Sequence, residues 1–330
     1  METRTIAPPL NIVAIGGGKG GIGKSIISTN LAAGMALSGQ NVILIDTDYG
    51  ASNLHALLGI GHPRRGLVDF FNENIKNPAS LLLDTGISNL KFVSGAGDNP
   101  GSANLAEAQQ DKILDFIRGL HADTIIIDLG PGSAFTVLDY YNFAAQGVIV
   151  TIPEMPSIMN AFSFIKNALF RSLNHELKDS LTLTNLTDFS KNPQAANETF
   201  SINQLREKIG EKEPDLIPKI DEHIEAFRPH LVINRVRKQR DLMLGQNLKK
   251  LARKYLNVKL NYLGFVIESD RVRESVNDMI PFLIQDPQSK PSENLQRIIG
   301  GLTQSDIQFV KRDGTIYVSK QVRLTSGWET

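Results

Sequence analysis

The 330-residue sequence contains no cysteine. That absence removes disulfides, thiolate metal centres, iron–sulfur clusters and a cysteine nucleophile. Net charge is also lacking: 35 basic and 35 acidic side chains leave a formal charge of zero. The chain as a whole therefore has no pull toward nucleic acid or anionic membrane, and only a local patch can supply one. No apolar run is long enough to span a bilayer. Met1–Pro9 is short and polar, without the apolar core of a secretion signal. The expected location is the cytoplasm, with a peripheral place at membrane or nucleoid left open. Internal repeats and low-complexity tracts are missing too. What remains is ordinary for a soluble globular protein, with 41% hydrophobic and 21% charged residues. A chain of this size can bury a full core without staples.

Short apolar runs recur at Asn11–Ile15, Asn41–Ile45, Leu90–Val93, Thr124–Ile127, Gly147–Ile152, Leu231–Ile233 and Leu260–Val266. Most are continuously apolar and rich in Val and Ile, as strands covered on both faces are. Helical stretches lie between them. Ser25–Ser38 carries Ile27, Leu31 and Met35 and stops at Gly39, and Pro156–Leu173 and Arg240–Tyr255 read as further helices. The alternation predicts an α/β fold with a doubly wound, mostly parallel sheet of about seven to eight strands. A single domain over 1–330 is expected, with a probable helical insertion at 174–229. Within the insertion Ser201–Lys212 opens on a capping serine and Pro214–Phe227 on a proline, while Thr182–Asn197 is polar. The tail, 305–330, is hairpin-like, because Asp313-Gly314 separates Gln308–Arg312 from Thr315–Leu324.

The segment Gly18-Lys19-Gly20-Gly21-Ile22-Gly23-Lys24-Ser25 matches the phosphate-binding loop G-x-x-x-x-G-K-[ST]. Its glycines let the backbone curl so that several N–H groups face the phosphates, and the following helix offers its positive end to the same anion. Lys24 can reach the β- and γ-phosphates, and the Ser25 hydroxyl can ligate Mg²⁺. Ile26 continues the nucleotide-facing turn.

Two acidic strand ends belong to the same chemistry. Ile43-Leu44-Ile45-Asp46-Thr47-Asp48 sets carboxylates just past the second strand, and Ile125-Ile126-Ile127-Asp128 does so later. A lone aspartate after a strand more often caps a helix. Two such ends beside a phosphate loop favour a magnesium site of Ser25 and Asp128 with one of Asp46 and Asp48, the other orienting the attacking water. Gly130-Pro131-Gly132 follows, and the Gly132 N–H can meet the γ-phosphate.

These residues resemble the MinD/ParA superfamily of P-loop ATPases. Lys19–Ser25 looks like its deviant Walker A loop, in which Lys19 is a second, signature lysine. Asp46–Leu54 resembles its switch I and Asp128–Gly132 its switch II. Pro153-Glu154 and Val232-Ile233-Asn234-Arg235 resemble two later landmarks. The spelling is most similar to MinD and the FlhG/FleN group. The resemblance implies ATP and Mg²⁺ as cofactors, ATP hydrolysis stimulated by an unidentified activating protein, and an ATP-dependent homodimer. In that dimer Lys19 of one subunit reaches the phosphates held by the other. The catalytic set it implies is Lys19, Lys24 and Asp48, with Asp46 for the metal and Asp48 for the water. Asn53 is placed near the γ-phosphate, Glu154 near the partner's ribose, and Asn234 with Arg235 at the adenine. The implied role is a switch that controls the position or number of a cellular structure.

Departures from the family pattern bear on the partners. MinD and FlhG/FleN proteins usually end in an amphipathic membrane helix. Here the stripe Leu295, Ile298, Ile299 and Leu302 is interrupted by Gly300-Gly301 and has few cations, so a core-facing use is the commoner reading. The basic residues Arg235, Arg237, Lys238, Arg240, Lys249, Lys250, Arg253 and Lys254 allow non-specific DNA binding of the ParA kind, though a solvated helix face is favoured at zero net charge. A small-molecule ligase or kinase on the same fold is a further alternative. A metal-cluster assembly ATPase is disfavoured by the lack of cysteine.

Overall fold

Alternate residues of each apolar run face opposite sides of a single sheet, and both sides are covered. The computed structural model describes residues 11–49, 52–72, 75, 78–95, 107–178, 180 and 201–322. The strands are β1 Asn11–Gly16, β2 Val42–Asp46, β3 Leu83–Asp84, β4 Leu90–Val93, β5 Thr124–Asp128, β6 Gln146–Thr151, β7 His230–Val236 and β8 Asn261–Ile267. They lie in the order β3-β4-β2-β5-β1-β6-β7-β8. Every pairing is parallel except β3 with β4. The expected sheet is present, and its eighth strand is the two-residue antiparallel edge β3.

The helices are α1 Lys24–Leu37, α2 Leu54–Leu57, α3 Asp69–Asn72, α4 Glu107–Arg118, α5 Phe135–Phe143, α6 Met155–Glu176, α7 Ile202–Gly210, α8 Ile217–Ala226, α9 Leu242–Leu256, α10 Asp270–Asn277, α11 Phe282–Gln285 and α12 Lys290–Thr303. Because side chains alternate across a strand, β1 sends Ile12 and Ala14 into one core and Val13 and Ile15 into the other. The first core is closed by α4, α5, α6, α7, α8 and α9, the second by α1, α11 and α12. Continuous apolar strands follow directly from having a core on each face.

The region before β7 holds α7 and α8. Ser201 and Gln204 form a reciprocal capping box at the start of α7. The expected single helix from Pro214 is divided. A short 3-10 turn, Pro214–Leu216, precedes α8, and Pro218 sits in the first turn of α8. Each proline fits a helix start, where its missing N–H costs nothing. The polar stretch Thr182–Asn197 lies outside the described residues.

The tail forms a hairpin of β9, Ser305–Arg312, and β10, Thr315–Val322. Asp313 and Gly314 both take positive φ, 48° and 78°, as a two-residue primed turn requires. Ile307 and Phe309 of β9 are buried in the core that α12 closes. The stripe of α12 is a core face: Leu295, Ile298 and Ile299 have no exposure. A Cβ on Gly34 of α1 would lie 2.4 Å from the Ile299 Cδ1, so the two helices touch closely. Those side chains are taken up by packing and are not offered to a lipid surface. Accordingly, Ile298→Ala is expected to lower stability by about 2–5 kcal/mol, read by urea unfolding. A loss below 1 kcal/mol would mean that the stripe is not held in the core.

Candidate nucleotide-binding site

The middle of the sheet positions the phosphate loop. β1 lies between β5 and β6, and the loop runs from its end into α1. Gly18 and Gly23 are glycines for packing reasons. A Cβ on Gly18 would stand 2.3 Å from the Asn160 carbonyl oxygen of α6, and one on Gly23, at φ 89°, 2.3 Å from the Asn234 Nδ2. Gly20 and Gly21 form the exposed crest, beside exposed Lys19, and Ile22 is buried beneath. No side chain caps α1, and its first turn carries no acid. Its leading N–H groups are thus left for an anion, with the helix dipole behind them.

Lys24 and Ser25 open α1 next to the acidic strand ends. Asp46 of β2 and Asp128 of β5 are register partners at the ends of neighbouring strands. The Ser25 hydroxyl donates to Asp128 Oδ2 at 2.6 Å. Asp48 donates its backbone N–H to Asp46 Oδ1 at 2.9 Å. A Cβ on Gly130 would meet the Asp48 side chain at 3.8 Å, which places Asp48 against the loop after β5. Thr47 fastens the same two segments by donating its backbone N–H and its hydroxyl to the Asp128 carbonyl, both at 2.9 Å.

The electrostatics of this cluster call for a cation. Burial raises Asp46 from 3.8 to about 7, with the charge of Asp128 adding to it, while hydrogen bonds from Ser52 and Asp48 oppose the rise. Burial likewise raises Asp128 to about 6, against hydrogen bonds from Ser25 and Ser28 and the charge of Lys24. Burial lowers Lys24, and Asp128 and Asp48 act against that. Carboxylates held away from water at neutral pH stay ionised when a divalent ion sits against them. A serine hydroxyl beside two carboxylates is an oxygen-only donor set that fits magnesium. Among the described residues, no three His, Cys, Asp or Glu side chains stand ready to hold a metal alone. An ion here would complete its shell from water and phosphate oxygens.

The remaining expected residues surround this centre. Asn53 stands at the start of α2, directly after Ser52, whose hydroxyl donates to Asp46 Oδ2 at 2.6 Å. Gly132 takes φ 85° with open space on its Cβ side. Glu154 precedes α6 and is exposed. Ile26, Asn234 and Arg235 line a cavity of about 700 Å³ together with Arg237 and Glu268. The Asn234 amide is already engaged within the chain. Its Nδ2 donates to the Ile22 carbonyl at 2.9 Å, and its Oδ1 accepts the Arg235 N–H at 2.9 Å. Asn234 thus holds the phosphate loop, and its amide keeps one further N–H and one further lone pair.

Sequence reasoning missed three contributors. Ser28 donates to Asp128 Oδ1 at 2.6 Å, so two serines of α1 grip the two oxygens of one carboxylate. Their spacing of three along a helix was the available signal. Ser52 is the second. The third is a buried hydroxyl pair, Tyr49 to Tyr140 at 2.9 Å, which ties the segment after Asp48 to α5.

A family model described as the CobQ/CobB/MinD/ParA nucleotide binding domain matches residues 13–282. The chain belongs to this family. The antiactivator FleN of Pseudomonas aeruginosa is 30% identical over 160 residues, 48% of this chain and 56% of FleN. The chain thus spans little more than half the length of that relative. The septum site-determining protein MinD of Pyrococcus horikoshii, solved with Mg-ADP, superposes with a TM-score of 0.59 at 19% identity, covering 89% of this chain and 96% of that one. MinD in the MinC:MinD complex of Aquifex aeolicus gives 0.58 at 17% identity, covering 92% and 99%. These likenesses match the MinD/ParA fold seen here, with phosphate loop, acidic strand ends and flanking helices in the expected chain order.

Proposed function

We propose that this MinD/ParA-family chain is an ATP-driven switch. It binds ATP with Mg²⁺, dimerises in that state, hydrolyses ATP slowly until an activating protein speeds it, and controls the position or number of a cellular structure. The observation that carries this reading is the register pair Asp46 and Asp128, buried beside Lys24 and Ser25 under a loop whose second lysine, Lys19, points no bond inward. Among the described residues Lys19 has no hydrogen-bond or ion-pair partner, as suits a group meant for another molecule. The Mg-ADP of the P. horikoshii MinD and the MinC partner of the A. aeolicus MinD support a nucleotide-dependent partner switch.

Each residue has a defined task. The N–H groups of 18–25 and Gly132 receive phosphate oxygens, and Lys24 places its ammonium against them. Ser25, Asp46 and Asp128 hold magnesium. When bound, the ion neutralises charge developing on the phosphates. Asp48, fixed over Gly130, orients the attacking water. Loss of the γ-phosphate then frees the segments after Asp46 and Asp128, which Thr47 and the Tyr49–Tyr140 bond tie together, and they relax as one unit.

The test is light scattering with ADP and with ATP, on wild type and Asp48→Ala. Asp48→Ala is expected to lose about 10²–10⁴ in turnover and to hold a stable dimer with ATP and Mg²⁺, while the ADP form is monomeric. A monomer under every condition, with ATP bound, would defeat the reading and favour a small-molecule enzyme. Nucleotide-dependent, salt-sensitive DNA binding would point instead to a partition ATPase.

A further inference from the structure

Asp128 ends β5, every residue of which is buried, and its backbone is fixed from two sides. Its carbonyl accepts the Thr47 N–H and the Thr47 hydroxyl, both at 2.9 Å, and the next N–H, that of Leu129, donates to the Ile15 carbonyl at 3.1 Å. None of these bonds orients the carboxylate. Rotation of an aspartate carboxylate about its last bond is broad, without sharp staggered minima. The plane of the group is therefore set by whatever bonds its two oxygens.

Both oxygens are held from α1. Ser25 donates to Oδ2 and Ser28 to Oδ1, each at 2.6 Å. The two serines differ in what else they can do. Ser25 is half-buried at the start of the helix, and as a magnesium ligand its hydroxyl oxygen serves the ion as well as Asp128. Ser28 lies nearly one turn further along α1 and has no exposure. Its hydroxyl also stands 3.0 Å from the Lys24 carbonyl. A hydroxyl has one proton to give, and the shorter, charge-assisted bond to the carboxylate takes it.

A single bond on Oδ2 would leave the carboxylate free to swivel about that oxygen. The second bond, from a side chain sealed off from solvent and ligand, removes this freedom. An ionised carboxylate has about four acceptor sites, so with both bonds made it keeps capacity for an ion or for the waters around one.

We infer that Ser28 is a positioning residue of the metal site: it holds Asp128 Oδ1 so that the remaining acceptor sites of the carboxylate stay aimed at the magnesium that accompanies the nucleotide. This rests on the reading that magnesium is held by Ser25, Asp46 and Asp128. Ser28 itself touches neither ion nor nucleotide and acts only through Asp128. Outer partners that orient metal ligands typically contribute roughly 10–100-fold to metal affinity.

The test is calorimetric titration of the full chain with ADP, once with Mg²⁺ and once in EDTA. The ratio of the two affinities is the enhancement due to the ion, whereas a merely weakened fold would lower both affinities together. Wild type is expected to show a clear enhancement. Ser28→Ala should reduce it about tenfold while the affinity in EDTA stays within about twofold. Ser28→Thr, which returns the hydroxyl, should recover most of the loss. Thr29→Val removes a neighbouring buried hydroxyl that bonds the Ser25 carbonyl at 2.7 Å and not Asp128, and its enhancement should match wild type. On an Asp128→Ala background, Ser28→Ala should change the enhancement by less than about twofold, because the group it works through is gone. If wild type gains nothing from Mg²⁺, the magnesium reading falls and the role of Ser28 falls with it. If wild type gains and Ser28→Ala gains as much, or if the loss persists undiminished without the Asp128 carboxylate, the role of Ser28 alone is overturned.

Discussion

Lys19→Ala is expected to cut ATP turnover about a thousandfold, at the lower end of what a cation supplied to a phosphoryl-transfer transition state contributes, while ATP affinity changes only a few-fold. The division follows from where the two lysines sit. Lys24 is 8% exposed, among Asp128 and Asp48 at the start of α1, and in the proposed dimer would serve the phosphates of its own subunit. Lys19 lies on the exposed crest and in that dimer would reach phosphates only across the interface. Lys19→Arg should not rescue fully, because a planar fork does not replace a compact ammonium at one point. The decisive experiment mixes Lys19→Ala with Asp48→Ala protein. In a two-fold dimer the mixed pair has one site with an intact Asp48 served by an intact Lys19. Random pairing therefore restores about a quarter of the wild-type rate from two nearly inactive preparations. No recovery in the mixture would show that Lys19 acts within its own subunit.

The parts of this molecule that read clearly in the sequence are those in which the physics is local. The Val- and Ile-rich runs of β1, β2, β5 and β6 needed no partner to announce burial on both faces. The phosphate loop and the Asp313-Gly314 turn are set by backbone requirements that only a few residues satisfy. Helix α5 is different: Phe135-Thr136-Val137-Leu138-Asp139-Tyr140-Tyr141-Asn142-Phe143 is apolar nearly all round and rich in residues that favour strands, so it shows no helical stripe. It is helical because both its sides find tertiary partners, as the Tyr49 bond to Tyr140 and the packing of Tyr141 on Gly147 show. The site divided the same way. Asp46, Asp128, Lys24 and Ser25 declared themselves by their neighbours in sequence. The bond from Asn234 to Ile22, 212 positions away, was not legible, because no local rule brings that side chain to the phosphate loop.

Asp46→Asn is expected to stabilise the metal-free protein at pH 8 and to remove much of its loss of stability with rising pH. Asp46 is 1% exposed, and its folded pKa stands near 7 against 3.8. A carboxyl with a raised folded pKa contributes stability that is fully present below about pH 4 and is lost as pH climbs through about 7. The shift corresponds to on the order of 4 kcal/mol at most, some of it shared with Asp128. An asparagine keeps the acceptor for the Asp48 N–H and presents an amide to Ser52, so the two contacts survive while the charge goes. The gain at pH 8 should be about 2–4 kcal/mol by urea unfolding in EDTA. The half-buried histidines His55, His223 and His230 have lowered pKa values and favour the folded state as pH rises, the opposite sense. They are common to both proteins and cancel in the difference. Mg²⁺ with nucleotide should reverse the ranking, because the ion restores to wild type what burial took from the carboxylate, and the amide holds the ion less tightly. If the variant is no more stable than wild type at pH 8, or gains as much from Mg-nucleotide, then Asp46 is not a strained carboxylate waiting for a cation and its place among the metal ligands falls.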